Sequence, residues 1–471
     1  MVGFVTYDLI FLALFIIAVI IFLKVKKKNV RRQGLVYLYK TNWGIKLMDS
    51  FSRKNKSWLF PLQYLIIASG IILMVGITWL IAESVYLYLK FPITSVTKAP
   101  PLAPLIPYFP KLFGLQSFFP PLYFTYFIIA VAIGGILHEF SHGIFARLNK
   151  FKVKSTGFLF LGPLLGAFVE PDEKQMAKAK KKSQLSILAA GTFANVIISI
   201  FFGILLVIFF SAFFAPAGVS FNVYPSFVAE TNSVSVPANF SLEQDFVEVE
   251  FEGTNYLVTP QVLKKTFDEN ITRIILFVDA PAVRNQLPTS PSAITEFNGE
   301  KIINLQALSE EIKKYSPGDK ITITMALREG LFDTQPEFQE YEIELGEFEG
   351  QAFLGIGINE QEQNKFSIRG FFNYIFEGAG TLDFLTYYES SIGKFGWFVY
   401  FLLWWVFFIN VLLALFNMLP VGPLDGGRFF QLGVAGLLKN DNIGKKAFRF
   451  VTWIIALALI AMMVKWAVSF F

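Results

Sequence analysis

The chain reads as a polytopic α-helical membrane protein of about six transmembrane helices, carrying one inserted α+β domain and a membrane-associated β-hairpin. Three observations predict this. Of 471 residues, 54% are hydrophobic and only 16% charged, which is too apolar for a soluble protein of this size. Six apolar stretches reach spanning length, and one long polar stretch interrupts them between the fourth and the fifth.

The spans lie at roughly 3–23, 58–83, 122–146, 185–213, 397–419 and 448–470. The first is longer than the apolar core of a signal peptide, has no basic residue before it and no small-residue cleavage site after it, and so reads as a retained helix. The loop that follows carries Lys24, Lys26, Lys27, Lys28, Arg31 and Arg32, and continues basic to Lys56. The loop after the third span carries Arg147, Lys150, Lys152, Lys154, Lys174, Lys178 and Lys180. Positive charge near helix ends marks the cytoplasmic side, so both loops are expected inside, and the termini and the insert outside. The proline-broken run "APLIPYFPKLFGLQSFFPPL" before the third span is expected to be an outer-surface cap or interfacial segment.

Taken along the chain, the expected organisation is an N-terminal two-helix membrane region with an outer loop (1–121) and a first part of the membrane core (122–213). An extracytoplasmic domain (214–360) and an amphipathic connector (361–396) follow. A second core part (397–436) and a last transmembrane helix (437–471) complete it. Two sequons, at Asn239 and Asn270, fall in the insert. Cysteine is absent, which excludes disulfides, thiolate ligands and a thiol nucleophile. Nothing in the charge pattern calls for a nucleic acid partner.

The chemistry concentrates in "ILHEFSHGIFARL". The chain has only two histidines, and both are here, His138 and His142, with Glu139 beside the first. Positions four apart share one face of a helix, so both imidazoles can address one metal ion. An ionisable group at membrane depth costs about 2.5–3.5 kcal/mol on insertion scales, so three polar groups in one span call for a function. A catalytic zinc site usually has three protein ligands. With no other histidine and no cysteine, the third is expected to be a carboxylate or another oxygen ligand. The candidate is Asp425 in "FNMLPVGPLDGGRFF", where Pro420 and Pro423 end a helix and Gly426 and Gly427 allow close backbone approach. One Zn²⁺ with Asp425 and Glu139 ionised and two neutral imidazoles carries little net charge, which lowers the cost of burial. Glu139 can take a proton from the attacking water and hand it to the leaving amine.

"HEFSH", "AAGTFAN" and "NMLPVGPLDGG", in this order and setting, resemble the site-2 proteases, intramembrane zinc metalloproteases, and among them the archaeal type with a PDZ-like insert. The resemblance covers the third to fifth spans. It implies one Zn²⁺ per chain held by His138, His142 and Asp425, with Glu139 as catalytic base. It also implies that Asn195 and Asn417 hold the substrate backbone or stabilise the oxyanion. Thr192 departs from the family, which often has proline there. The implied substrates are transmembrane proteins in the cell membrane, already trimmed by another protease, cut toward the cytoplasmic side in regulated intramembrane proteolysis. A helix that packs Asn195 and Asn417 for interhelical hydrogen bonding is the plainer reading of those two residues.

A helical substrate must be extended before it is cut. "STGFLFLGPLLGAFVEPD" reads as two apolar strands around Gly162 and Pro163, a membrane-dipping hairpin whose free edge suits strand addition. Phe160 and Phe168 are expected to carry that edge. In the insert, a strand at Ile294, the turn Asn298-Gly299, a helix over 305–315 and a strand after Pro317-Gly318 resemble a PDZ core. The stretch 219–270 is read as an elaboration of it, and "AFLGIGI" as a further strand. Two other classes remain: a catalytically idle membrane-bound scaffold, which leaves a complete base and ligand set without use, and a metal transporter, which leaves Glu139 without a reason.

Overall fold

The computed structural model describes residues 4–90, 100–162, 164–237, 240–358, 370, 377, 379–383 and 385–468. Among them are six helices long and apolar enough to cross a membrane, so this is a multi-pass membrane protein. They are α1 (Phe4–Val25), α3 (Lys56–Lys90), α5 (Phe124–Leu148), α7 (Lys181–Phe213), α11 (Gly393–Asn417) and α13 (Asp441–Val468). Shorter helices are α2 (Ile45–Lys54), α4 (Phe109–Leu112), α6 (Glu173–Ala177), α8 (Pro260–Asp268), α9 (Pro281–Arg284), α10 (Leu305–Ile312) and α12 (Asp425–Leu437). The chain divides into two compact units, 1–209 with 398–471, and 210–397.

In the first unit, α11 is the most enclosed span, and α1 and α13 the least. Its enclosure follows from its aromatic residues: Tyr400, Trp404 and Trp405 are fully buried, and Trp405 donates to the Pro121 carbonyl at 3.0 Å. The proline-broken run before α5 packs there, with Phe119 stacked on Trp405. A shared core joins Ile66 of α3, Phe145 of α5, Ile187 and Ala189 of α7, Met418 just past α11, and Phe429 of α12. That core fixes the relative placement of the helices that carry the polar residues discussed below.

The expected hairpin is present as β3 (Val153–Leu161) and β4 (Leu164–Pro171), in antiparallel register from Thr156 opposite Val169 to Leu161 opposite Leu164. Pro163 of the expected turn lies outside the described residues. The hairpin does not stand alone. The basic loop after α1 folds into β1 (Val30–Gln33) and β2 (Val36–Thr41), and the sheet order is β1-β2-β3-β4. Alternation in "VYLYKT" after the turn at Gly34 is the signal that a reading of the loop by charge alone passes over. Phe160 therefore sits on an interior strand, opposite Tyr37 and Leu165, and does not carry the free edge. That edge is β4.

The second unit begins and ends on paired strands, β5 (Phe214–Val219) and β16 (Thr386–Ser390). They continue a sheet of order β13-β12-β10-β5-β16 with β10 (Ala293–Phe297), β12 (Lys320–Leu327) and β13 (Glu337–Glu344), and the two-residue β11 (Glu300–Lys301) pairs with β10. Asn298 and Gly299, both at positive φ, make the tight turn between β10 and β11. The stretch 361–396, expected as a connector, thus contains a strand of the insert's own sheet, while 361–369, 371–376, 378 and 384 lie outside the described residues. Residues 226–278 form a separate antiparallel sheet, β6 (Ser226–Glu230), β9 (Arg273–Val278), β8 (Thr254–Val258) and β7 (Val247–Phe251), in that order. Val247, Val258, Leu263 and Leu276 give it its own core, so 219–270 is more than an edge of the first sheet. Of "AFLGIGI", Ala352 and Phe353 belong to β15 (Gln351–Phe353), which pairs with β14 (Gly346–Phe348) in a short ribbon, Leu354 joins the core of the larger sheet, and Gly357 forms an isolated antiparallel bridge with Val223. Asn270 is exposed at the end of α8; Asn239 is outside the described residues.

Candidate metal centre

Three elements of the membrane unit, α5, α7 and α12, meet at the histidines. α5 carries His138, 6% exposed, and His142, 9% exposed, one turn apart and facing the same way. From α12, Asp425 brings Oδ2 to 3.3 Å from His138 Nε2 and 3.2 Å from His142 Nε2. The two Nε2 atoms are 3.0 Å apart. Asp425 is the first residue of its helix, where the unpaired backbone N–H groups favour a negative charge. Its place depends on Gly426: a Cβ there would lie 2.3 Å from the Met418 carbonyl carbon and oxygen, so only glycine lets α12 start against the end of α11.

Each imidazole is oriented from its other nitrogen by α7. His142 Nδ1–H donates to the Ile187 carbonyl at 2.7 Å, which leaves Nε2 as a lone pair in the neutral ring. His138 Nδ1 lies 3.0 Å from the Asn195 amide nitrogen, and Asn195 Oδ1 is buried with no partner. Turning the amide by half a revolution places Oδ1 against Nδ1–H, satisfies the orphaned oxygen, and again leaves Nε2 as the lone pair. Two imidazole lone pairs and a carboxylate oxygen then face one another with no proton between them, an arrangement that calls for a cation. A tetrahedral ion with bonds of about 2.0–2.1 Å spaces its donor atoms about 3.3 Å apart, close to the separations here. The residues fit zinc.

α7 can approach this closely because residue 191 is glycine. A Cβ on Gly191 would fall 2.4 Å from His142 Nε2 and 2.6 Å from His138 Nε2. Gly191 was not singled out from "AAGTFAN", although an interior helix glycine, costly in itself, is the kind of signal that marks close approach.

Glu139 lies on the neighbouring face of α5, half-buried, within reach of the pair. Its Oε2 accepts from the Val169 amide of β4 at 2.9 Å. A cavity of about 30 Å³ opens beside it, walled by Trp43, Met48, Phe140, Phe158, Ala167 and Val169. Its walls are mainly apolar and include neither histidine nor Asp425, so it borders the base on the side of β4 and α2. Asn417, at the end of α11, is half-buried and makes no side-chain hydrogen bond among the described residues. The structure therefore brings together His138, His142, Asp425, Asn195 and Glu139, and leaves Asn417 apart from their hydrogen bonding.

One further buried acid went unread. Asp8, 1% exposed, is the lone carboxylate of α1, and a single acid in an apolar span was signal enough to find it. It accepts from Phe124 N at 2.8 Å, Thr125 N at 2.9 Å, Thr125 Oγ1 at 2.6 Å and Tyr108 Oη at 2.5 Å, and so caps the start of α5, the helix that carries the histidines.

Residues 126–462 match the model of peptidase family M50. Among curated relatives, the chain is 25% identical over 300 residues to an uncharacterized protein of Methanocaldococcus jannaschii, covering 64% of this chain and 54% of that one. It is 24% identical over 193 residues to the zinc metalloprotease RasP of Shouchella clausii, covering 37% and 45%. The chain thus spans about half the length of the curated relatives it matches.

Proposed function

The chain belongs to peptidase family M50, and on that premise we propose that it is an intramembrane zinc metalloprotease of the site-2 type, hydrolysing peptide bonds within transmembrane segments of other membrane proteins. The observation that carries this reading is the convergence of His138 Nε2, His142 Nε2 and Asp425 Oδ2 with the Glu139 carboxylate alongside. Convergent acceptors suit a cation, and a carboxylate next to it suits general base work.

His138, His142 and Asp425 hold the ion. Zinc, when bound, supplies Lewis acidity to the carbonyl under attack. Glu139 accepts the proton of the attacking water as its oxygen adds to the carbonyl carbon, then delivers that proton to the amide nitrogen as the C–N bond breaks. Asn195 fixes the His138 ring through Nδ1, and this contact favours an orienting role over an oxyanion role. Asn417, whose amide makes no hydrogen bond among the described residues, is the donor for the substrate backbone or the oxyanion. β4 offers an edge to which an unwound substrate segment adds as a strand.

The basic loops after the first and third spans favour a cytoplasmic side for the sheet and the site, with the termini and the insert outside. There the insert acts as a PDZ-like filter that admits trimmed substrates and holds off bulky ones. The test is cleavage of a single-span model substrate by the purified full chain. Glu139→Gln should keep its metal and lose at least about 100-fold in rate, the usual share of a general base. Near-normal cleavage by that variant would overturn the mechanism.

A further inference from the structure

The hydrogen bond from Val169 N to Glu139 Oε2 says which way β4 points its donors. Since the Val169 N–H leaves the sheet, and successive strand residues alternate, Leu165, Ala167 and Val169 turn their amides to the open edge. Gly166 and Phe168 turn theirs into the ladder with β3. Pro171, which has no donor to give, shares the outward parity and closes the strand. Phe168, expected to serve the edge, does not.

We propose that the Glu139–Val169 hydrogen bond sets the register of cleavage. An extended substrate segment pairs with the outward groups of Leu165 and Ala167. Pairing stops at Val169, whose donor is already held by the base. The first peptide bond beyond the ladder is then the one that reaches Glu139 and the two histidines, so one backbone amide both positions the base and ends the substrate strand. The inference rests on the proteolytic reading and on strand addition to β4; it makes Val169 a positioning residue that acts through its backbone.

Proline separates the cases, because it deletes a donor and is tolerated where that donor faces outward on an edge strand. In Val169→Pro, kcat should fall about tenfold, the loss of one hydrogen bond to a charged group, with KM within about twofold and metal content unchanged. Mass spectrometry of the products should show additional cut bonds one or two residues away. In Ala167→Pro, KM should rise about tenfold for a lost pairing donor while the same single bond is cut. Independently of either variant, wild-type enzyme should be blocked by proline at alternate positions of the substrate's paired stretch and tolerate it between them. A single unchanged cut bond at the wild-type rate in Val169→Pro, or no alternation with the wild type, would overturn the proposal. Failure of the proteolytic reading would show separately, as a wild-type chain that leaves the unmodified substrate whole.

Discussion

Asp8 of α1 sits against the first turn of α5 and Asp425 opens α12, and these two acids of the membrane unit meet opposite surroundings. Asp8 is closed off by four donors, two of them backbone amides of α5. Asp425 meets only two imidazole nitrogens among the described residues, and those nitrogens are lone pairs when their rings are oriented by Ile187 and Asn195. A buried carboxylate that is fully hydrogen-bonded is a structural device; one that faces further acceptors is waiting for a cation. Residue type is the same for both, Asp8 is fully buried and Asp425 about a quarter exposed at its side chain, and the chemistry differs because of what the partners can donate.

That contrast predicts a ranking of effects. Asp425→Ala should lower metal affinity by more than the roughly 10–100-fold typical of removing an outer-shell partner, and abolish cleavage, while the fold persists; isothermal titration with zinc reads the first. Asn195→Ala should cost about 10–100-fold in the same titration, because the His138 ring keeps its place on α5 but loses what fixes its tautomer. If Asn195→Ala bound metal as the wild type does and lost only kcat, the oxyanion role would regain the lead. Asp8→Ala should act on stability instead, by about 1–3 kcal/mol for each buried donor left unpaired, with metal retained per folded chain. Thermal unfolding in detergent would check it.

The smallest effect concerns the sheet. Glu170 of β4 is held below the ordinary carboxylate range by hydrogen bonds from Lys40 of β2 and Ser155 of β3. A depressed folded pKa stabilises above the unfolded value and is lost as pH falls through the folded one, so this tie should weaken below about pH 4.5, Glu170's ordinary value. The pair is partly exposed, so Lys40→Ala should cost no more than about 1 kcal/mol, and its effect should vanish at low pH.

Much of the site was legible because its residues are rare in their setting. Two histidines in a whole chain, on one helical face inside an apolar run, leave little else for them to be, and the absence of further histidine or cysteine directs attention to Asp425. The six spans were equally plain from length and composition. What was not legible depends on contacts between distant segments. Nothing local to Val30–Thr41 says that it pairs with β3, because strand partners are chosen by the fold and not by the strand. Nor does the sequence near Val169 reveal the parity of its amide, which is fixed by its hydrogen bond to Glu139. The second sheet of the insert, over 226–278, was hidden for the same reason: its short strands pair across a loop and a helix.

The most direct measurement is zinc per chain, by mass spectrometry of the metal in purified wild type, Asp8→Asn and Asp425→Asn at matched folded fraction. The account predicts about one ion per chain in the wild type and in Asp8→Asn, since the first acid has no part in holding it, and a near-empty site in Asp425→Asn. Equal occupancy in the two variants would contradict the division of labour between the two acids, and full occupancy in Asp425→Asn would remove it from the ligand set.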